Sequence, residues 1–274
     1  KLSKGASYFY SPHGPILAPG QTKEILTALL KKAEAEARKE SIAFLRLEPK
    51  INLSQELKIE PDPETIQARY TLILDISPSI KQILQQMKSK HRYNIRLTKR
   101  KGVKIIKAET VQQIDDFWQL IVQGQEDNNF QAHSKDYFQK QFEVLSELGM
   151  EDLFLAQKDG QIIAAILVGY FGQSAYYLHG AMARQYRNLM APHYLQWQAI
   201  RSAKEKGCRE YNFWGVAPPS AKENHPWQGF TRFKVGFAPD TKPTIYPGTY
   251  YIPYNTPAFL TFKTLKKVKK WLDL

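Results

Sequence analysis

The longest apolar stretch without a charge covers residues 162–171, reading IIAAILVGYF. At ten residues it is about half of the ~20 that a bilayer-spanning helix needs. It follows Asp159-Gly160, and residues 153–157 precede that dipeptide. Two apolar runs joined by Asp-Gly predict a β-hairpin. Gly172 then turns the chain into a further strand over residues 174–179, which completes a β-meander.

The surrounding periodicities are helical. Val111, Ile114, Phe117, Ile121 and Val122 define one buried face, and Tyr137, Phe138, Phe142 and Leu145 another. After the meander, Pro192 opens a helix carrying Tyr194, Leu195, Trp197, Ile200 and Ala203, and Gly207 stops it. A strand is expected over residues 211–216, a polar loop over 217–227, a strand over 249–252 and a terminal helix over 257–272. Upstream, Thr22 reads as an N-cap before the stripe Ile25, Leu26, Leu29, Leu30, Ala33 and Ala37. Residues 42–47 read as a buried strand, 51–64 as a loop and 70–76 as a strand. Ser77-Pro78 is expected to start a helix whose buried face is Ile80, Ile83, Leu84 and Met87. Gly102 ends the basic run that follows, before a short strand over 103–106. The order helix, helix, meander, helix, strand predicts an α/β (α+β) chain with an N-acetyltransferase-like (GNAT) fold in its second half. The first half has a similar but incomplete order, without a close sequence repeat.

Of 274 residues, 39 are Lys or Arg and 26 Asp or Glu, a formal charge of +13. Nine of the basic side chains (Lys88, Lys90, Arg92, Arg96, Lys99, Arg100, Lys101, Lys104 and Lys107) fall within residues 88–107, and no acid lies between Asp75 and Glu109. A second cluster is Lys263, Lys266, Lys267, Lys269 and Lys270. Such clusters attract phosphate-rich partners; RNA, nucleotide-linked sugars and an anionic membrane surface are the candidates. In an extended segment Arg92, Asn94 and Arg96 would share one face; in a helix Arg92 and Arg96 would. Both leave a phosphate-facing pair.

The single cysteine, Cys208, excludes a disulfide scaffold and a cysteine-ligated zinc site, and is expected to be a packing residue. The six histidines show no metal spacing, and there is no P-loop or G-x-S-x-G elbow. No metal and no organic cofactor is implied. No signal peptide is visible, which points to a cytoplasmic protein. The chain opens on Lys1 instead of Met, so an upstream segment is expected.

Four segments carry a resemblance: YFYSPHGPIL (8–17), AFLRLEP (43–49), KSKHRYNIRLTKRKGV (88–103) and the stretch 176–254. Within the last stand YYLHGAMARQYRNLMAPHYLQW, KEKGCREYNFWGV, HPWQGFTRFKVGF and YYIPYN. In that order they resemble the FemABX family of peptidyl aminoacyltransferases. The resemblance implies two GNAT-like domains, the first N-terminally truncated: residues 1–107, joined by the terminal helix 255–274, and residues 108–254. It implies transfer of an amino acid from aminoacyl-tRNA to an amine of a peptidoglycan precursor, UDP-linked or lipid-linked, in interpeptide-bridge formation. The inner face of the cytoplasmic membrane is a further expected partner. Between Gln123 and Tyr137 there is no room for the long helical hairpin of some members, so the chain is similar to the hairpin-less, FemX-like type.

The same resemblance assigns residues. Lys234 matches the lysine regarded as catalytically central, where a fixed ammonium would neutralise the developing oxyanion or the leaving ribose oxygen. Its bland alternative is a surface lysine snorkelling between Phe233 and Phe237. Arg232 and Phe233 of the same motif, and Trp227 before it, are expected at substrate. The acceptor-binding Arg-x-x-x-Tyr pair reads His133 and Tyr137 here, and a preceding arginine position reads Asp127. Histidine lacks the permanent bidentate fork of arginine, so a surface histidine at a helix start is an equal reading. Glu48 occupies a family Asp position near the acceptor, with structural capping as an equal explanation. Arg187 and Asn188 precede the helix at Pro192. In coenzyme-A-dependent acetyltransferases that loop is glycine-rich and its amides cradle pyrophosphate; residues 184–191 here contain no glycine. An acyl-coenzyme-A N-acyltransferase is therefore the disfavoured alternative, and a non-catalytic RNA- or membrane-surface-binding relative the third.

Overall fold

The computed structural model describes residues 7–17, 20, 22–128 and 132–272. Along the chain lie strand β1 (Ser7–His13), helix α1 (Thr22–Lys39), β2 (Ile42–Pro49), the single turn α2 (Ser54–Leu57), β3 (Tyr70–Asp75), α3 (Ile80–Gln86), α4 (Ser89–Arg100), β4 (Lys104–Lys107), α5 (Ile114–Asn128) and α6 (Lys135–Glu147). There follow β5 (Glu151–Lys158), β6 (Gln161–Phe171), β7 (Ser174–Met182), α7 (Ala191–Glu205), β8 (Glu210–Gly215), α8 (Gln228–Val235), β9 (Thr244–Ile245), β10 (Tyr250–Pro253) and α9 (Thr256–Leu272). They form two compact units, one of residues up to Arg69 together with those from Ile245 onward, the other Tyr70–Thr244.

The smaller unit is a three-stranded sheet in the order β1-β2-β10, with β1 parallel and β10 antiparallel to β2. Every residue of β2 is buried, because helices cover both faces of the sheet. Leu45 and Leu47 pack with Leu26, Leu30 and Ala33 of α1. Phe44 meets Phe259 and Phe262 of α9 at ring separations of 5.3 and 4.8 Å. A strand covered on both sides reads as a largely apolar run, interrupted in residues 42–47 by Arg46 alone, which is why that segment was legible.

In the larger unit the sheet order is β4-β5-β6-β7-β8-β3, with the two-residue β9 at the edge where the chain leaves the unit. Ile166 and Val168 of β6 join the core built with Leu195 and Ile200 of α7 and Ile95 of α4. Ala165 and Leu167 point the other way, against Phe117 of α5 and Phe138 of α6. The period-2 alternation of a strand thus feeds two cores. Asp159 and Gly160 both have positive φ, 50° and 82°, as the tight hairpin turn requires. Pro192 sits in the first turn of α7, and Gly207 follows it at φ 84°. Cys208 is buried in the first of these cores.

The structure differs from the sequence reading at several points, among them strand β1 and the turn α2 inside the expected loop 51–64. The division between units falls at 69/70 and 244/245, not at 107/108 and 254/255, because β3 pairs with β8 and β4 with β5. Residues 70–107 therefore complete the larger sheet. Helix α3 starts two residues after Ser77-Pro78, where Ser79 and Gln82 form a reciprocal capping box. A helix the sequence did not announce, α8, occupies residues 228–235.

Candidate functional site

Strands β7 and β8 run parallel but pair only at Ser174–Glu210, Ala175–Tyr211 and Tyr176–Asn212. Beyond that, β7 stays with β6 as far as Met182, while β8 follows β3 to Gly215. On the β3 side, Thr71 and Ile73 face Gly215 and Asn212, so β8 carries one extra residue there, a β-bulge. Trp214 lies in it at φ 62°, in the left-handed region that side chains seldom adopt. The Asn212 carboxamide oxygen holds it, accepting the Trp214 N–H at 2.7 Å and the Thr71 hydroxyl at 2.7 Å. Bulges next to sites re-aim a group, and here the next carbonyl, Gly215, accepts from Lys234.

Lys234 lies on α8 and is 8 % exposed. Its Nζ donates to the Gly215 carbonyl at 2.6 Å and lies 5.7 Å from the Tyr177 ring centre and 5.2 Å from that of Phe230. Tyr177 comes from β7 and Gly215 from β8, so the ammonium sits where the two strands part. Burial pulls its pKa from the ordinary 10.5 down to about 8, because a charged amine loses its hydration there. Two ring faces and one carbonyl compensate in part. This is not the surface lysine of the bland reading. Burial likewise pushes the Tyr177 hydroxyl up to about 12, so that ring stays neutral. Phe230 and Trp227, rings 5.7 Å apart, are both part-exposed beside it. Arg232 of the same helix faces solvent and Phe233 is half-buried.

Helix α8 is fastened to α4. Met87 closes α3, and the next residue, Lys88, donates its N–H to the Gly236 carbonyl at 2.9 Å. His91 Nε2 lies 2.8 Å from the Phe233 carbonyl; a carbonyl only accepts, so Nε2 carries the proton. Burial holds His91 below its ordinary pKa against the opposing pull of that carbonyl. His193 of α7 packs edge-on to His91 at 4.7 Å, and its Nε2 accepts from Asn94 at 3.2 Å. Burial first, then His91, brings His193 down to about 4. A β-carbon on Gly236 would overlap the His91 ring. Gly236→Ala is therefore expected to cost about 1–3 kcal/mol in urea unfolding. The Gly236→Ala, His91→Ala double variant should lose clearly less than the sum of the two single changes. Strict additivity would show that the ring and the glycine do not meet.

The remaining sequence-derived residues are distributed as follows. Residues 89–100 are helical, which settles the two readings of the basic run. Arg92 turns back to the carbonyls of Gln85 and Met87 at the end of α3, while Arg96 faces solvent, so the expected pair diverges. Asn94 is buried and engaged with His193. The solvent face of α4 instead carries Lys90, Tyr93, Arg96, Lys99 and Arg100, with Arg100 5.9 Å from the Tyr93 ring centre. Exposed Arg187 and Asn188 lie in a 3-10 turn, Arg184–Leu189, directly before α7. His133 stacks on Tyr137 at 4.1 Å, just ahead of the Ser134 cap of α6. The Asp127 side chain lies outside the described residues.

Glu48 belongs to the smaller unit and is buried. Its carboxylate accepts from Arg46 Nε (2.8 Å), Tyr10 (3.0 Å), Thr249 (3.0 Å) and the backbone N–H groups of Ile66 (2.9 Å) and Gln67 (2.8 Å). Burial alone would raise its pKa, but the two backbone donors and Arg46 outweigh that and hold it below the usual carboxylate range. Of its two readings, the structural one accounts for this saturation: Glu48 pins residues 66–67 to β2.

Sequence reasoning missed Tyr177, Phe230 and the Gly215 carbonyl. Each stands inside a segment already singled out, but their convergence depends on strand parting that local sequence does not encode. Among the described residues, no helix is long and apolar enough to cross a membrane, and no three His, Cys, Asp or Glu side chains are grouped to hold a metal.

The FemAB family model matches residues 60–156 and 148–267. The aminoacyltransferase FemA of Staphylococcus epidermidis is 29 % identical over 146 residues, a match covering 52 % of this chain and 34 % of that protein. The chain thus spans about a third of the length of this relative. A lipid II:glycine glycyltransferase of Staphylococcus epidermidis is 20 % identical over 295 residues, covering 80 % of this chain and 70 % of that protein. Among solved structures, the crystal structure of FemX superposes with a TM-score of 0.85 at 19 % identity, over 95 % of this chain and 84 % of that one. A tandem GNAT protein from the clavulanic acid biosynthesis pathway superposes at 0.52 with 13 % identity, over 87 % and 73 %. At these identities the structures speak to the fold, which is α/β and built from GNAT-like domains.

Proposed function

Because this chain belongs to the FemAB family, we propose that it transfers an amino acid from aminoacyl-tRNA to an amine of a peptidoglycan precursor. A new amide forms as the ester to the tRNA ribose breaks. The amine attacks the ester carbonyl, a tetrahedral oxyanion develops, and the ribose oxygen leaves, taking up a proton as the amine gives one up. The donor is already activated, so no covalent nucleophile is needed. What the reaction needs is positioning and a positive charge fixed where negative charge appears.

The observation that carries this reading is the buried Lys234 ammonium at the parting of β7 and β8. A charge held away from bulk water acts on an oxyanion with far less screening than a surface lysine. Trp227 and Phe230 form an apolar rim beside it that limits water. The similarity to FemA and to a lipid II:glycine glycyltransferase supports the acceptor class. The exposed face of α4 is read as the surface for the tRNA backbone, with Arg96 and Lys99 on phosphates and Tyr93 available for stacking.

The direct test is transfer of radiolabelled amino acids from charged tRNA to UDP-linked and to lipid-linked precursor, each arm run separately, with acyl-coenzyme A as a third donor arm. Transfer from tRNA supports the reading; transfer from acyl-coenzyme A alone replaces it. For the tRNA surface, Arg96→Glu with Lys99→Glu should weaken tRNA binding at least about tenfold at low salt and flatten the salt dependence. Unchanged binding would remove α4 from the interface.

A further inference from the structure

Helix α9 has two apolar faces. One packs on the smaller sheet, where Phe259 lies 5.5 Å and Phe262 6.2 Å from Tyr251, and both meet Phe44. At 100° per residue, Leu260, Thr264, Val268 and Trp271 lie along the opposite side, with Leu265 beside them. They are open to solvent: Leu260 58 %, Leu265 48 %, Val268 47 % and Trp271 74 % exposed. Single exposed apolar residues are ordinary. Four large ones on one helix face form a patch of the kind that marks an interaction surface.

The charges around the patch select its occupant. Residues 256–272 contain five lysines and no acidic residue. Lys263 and Lys266 are engaged by Asp62 at 2.5 Å and Glu64 at 3.2 Å. Lys267 borders the apolar line and is exposed. A second copy of the chain would bring two acid-free, lysine-rich helices face to face, which like-charge repulsion disfavours. A surface that offers both hydrocarbon and negative charge fits. We propose that the outer face of α9 docks on an anionic lipid bilayer, lying in the interface plane with Leu260, Leu265, Val268 and Trp271 in the acyl boundary and lysine among the headgroups. This surface lies wholly within the smaller unit and stands independently of the transfer reaction.

The experiment is vesicle co-sedimentation of the full chain with phosphatidylglycerol-containing and pure phosphatidylcholine vesicles, with tryptophan emission read in parallel. Binding to the anionic vesicles should exceed binding to neutral ones at least about tenfold and fall with salt. The emission should shift to the blue, and the shift should be absent in Trp271→Ser. The Leu260→Ser, Trp271→Ser double variant should lose at least about tenfold in binding; it leaves Phe259 and Phe262 untouched, and a thermal melt checks the fold. Lys267→Glu should weaken anionic binding alone. Transfer to a soluble UDP-linked acceptor should be unchanged in all three variants, so a failure of the catalytic reading and a failure of docking are separable. Equal binding to both vesicle types, no binding, or binding indifferent to the double variant overturns the proposal. A concentration-dependent dimer abolished by Trp271→Ser overturns it in favour of self-association.

Discussion

Lys234→Met is expected to lower kcat/KM for transfer by about 10²–10³, the loss typical of one oxyanion donor, while the chain stays folded. A methionine keeps most of the volume and removes the charge. The pH dependence makes the test specific. In the folded chain Lys234 titrates at about 8 instead of 10.5, so activity resting on the ammonium should decline as pH rises through 8. The residual activity of the variant should lack that limb. Stability moves in the opposite sense. Below pH 8 both folded and unfolded chains hold the proton, and the folded state bears the full desolvation cost, about 3 kcal/mol. Between 8 and 10.5 the folded state releases its proton first, the unfolded state binds more protons, and stability rises with pH. Urea midpoints of the wild type should therefore climb across that window while those of Lys234→Met stay flat in this contribution. An unchanged kcat/KM, or the same alkaline limb in both proteins, would take Lys234 out of the chemistry.

The second large effect is on folding. Glu48→Gln is expected to destabilise the smaller unit by about 3–5 kcal/mol, as breaking one side of a buried ion pair does. It leaves the Arg46 guanidinium, 4 % exposed, without its counter-charge, and it turns an amide N–H toward donors that have lost an acceptor. Hydrogen exchange gives a local reading: the amides of Ile66 and Gln67, now held at 2.9 and 2.8 Å, should lose protection. The wild type should also weaken in acid. A carboxyl held below its unfolded value stabilises above that value, and the contribution disappears as pH falls through the folded pKa. The variant should lack this dependence. Amides 66 and 67 remaining protected, with an unmoved midpoint, would show that the network is dispensable.

What could be read in the sequence was local. Asp159-Gly160 demanded its turn, Pro192 and Gly207 bracketed α7, and the apolar residues 42–45 and Leu47 of β2 announced a buried strand. Residues 88–101 were ambiguous because both conformations place Arg92 and Arg96 on one face. The helix is decided by long-range partners: Ile95 in the α7 core, and Thr98 bonding the Leu189 carbonyl at 2.8 Å. Helix α8, with Gly229, Thr231 and Val235 in eight residues, has weak intrinsic propensity and is held from outside by His91 and Lys88. The burial of Lys234 was illegible for a related reason. Lysine is ordinarily exposed, and only the parting of β7 from β8, set by β3 about 140 positions upstream, makes a place for it. Glu48 was half legible: its motif marked it, but its partners at 10, 66, 67 and 249 are invisible to a local reading.

The interleaving of the two units along the chain has a consequence for synthesis. By the time residue 244 leaves the ribosome the larger unit has all of its chain, whereas the smaller one still lacks β10 and α9. Until they emerge, one edge of β2 stays unpaired and Phe44 lacks the rings of Tyr251, Phe259 and Phe262, which is the condition that recruits chaperones or seeds misassembly. A nascent chain stalled there would carry one finished body and one sticky half-sheet, so quality control of the smaller unit is decided by the emergence of β10 and α9.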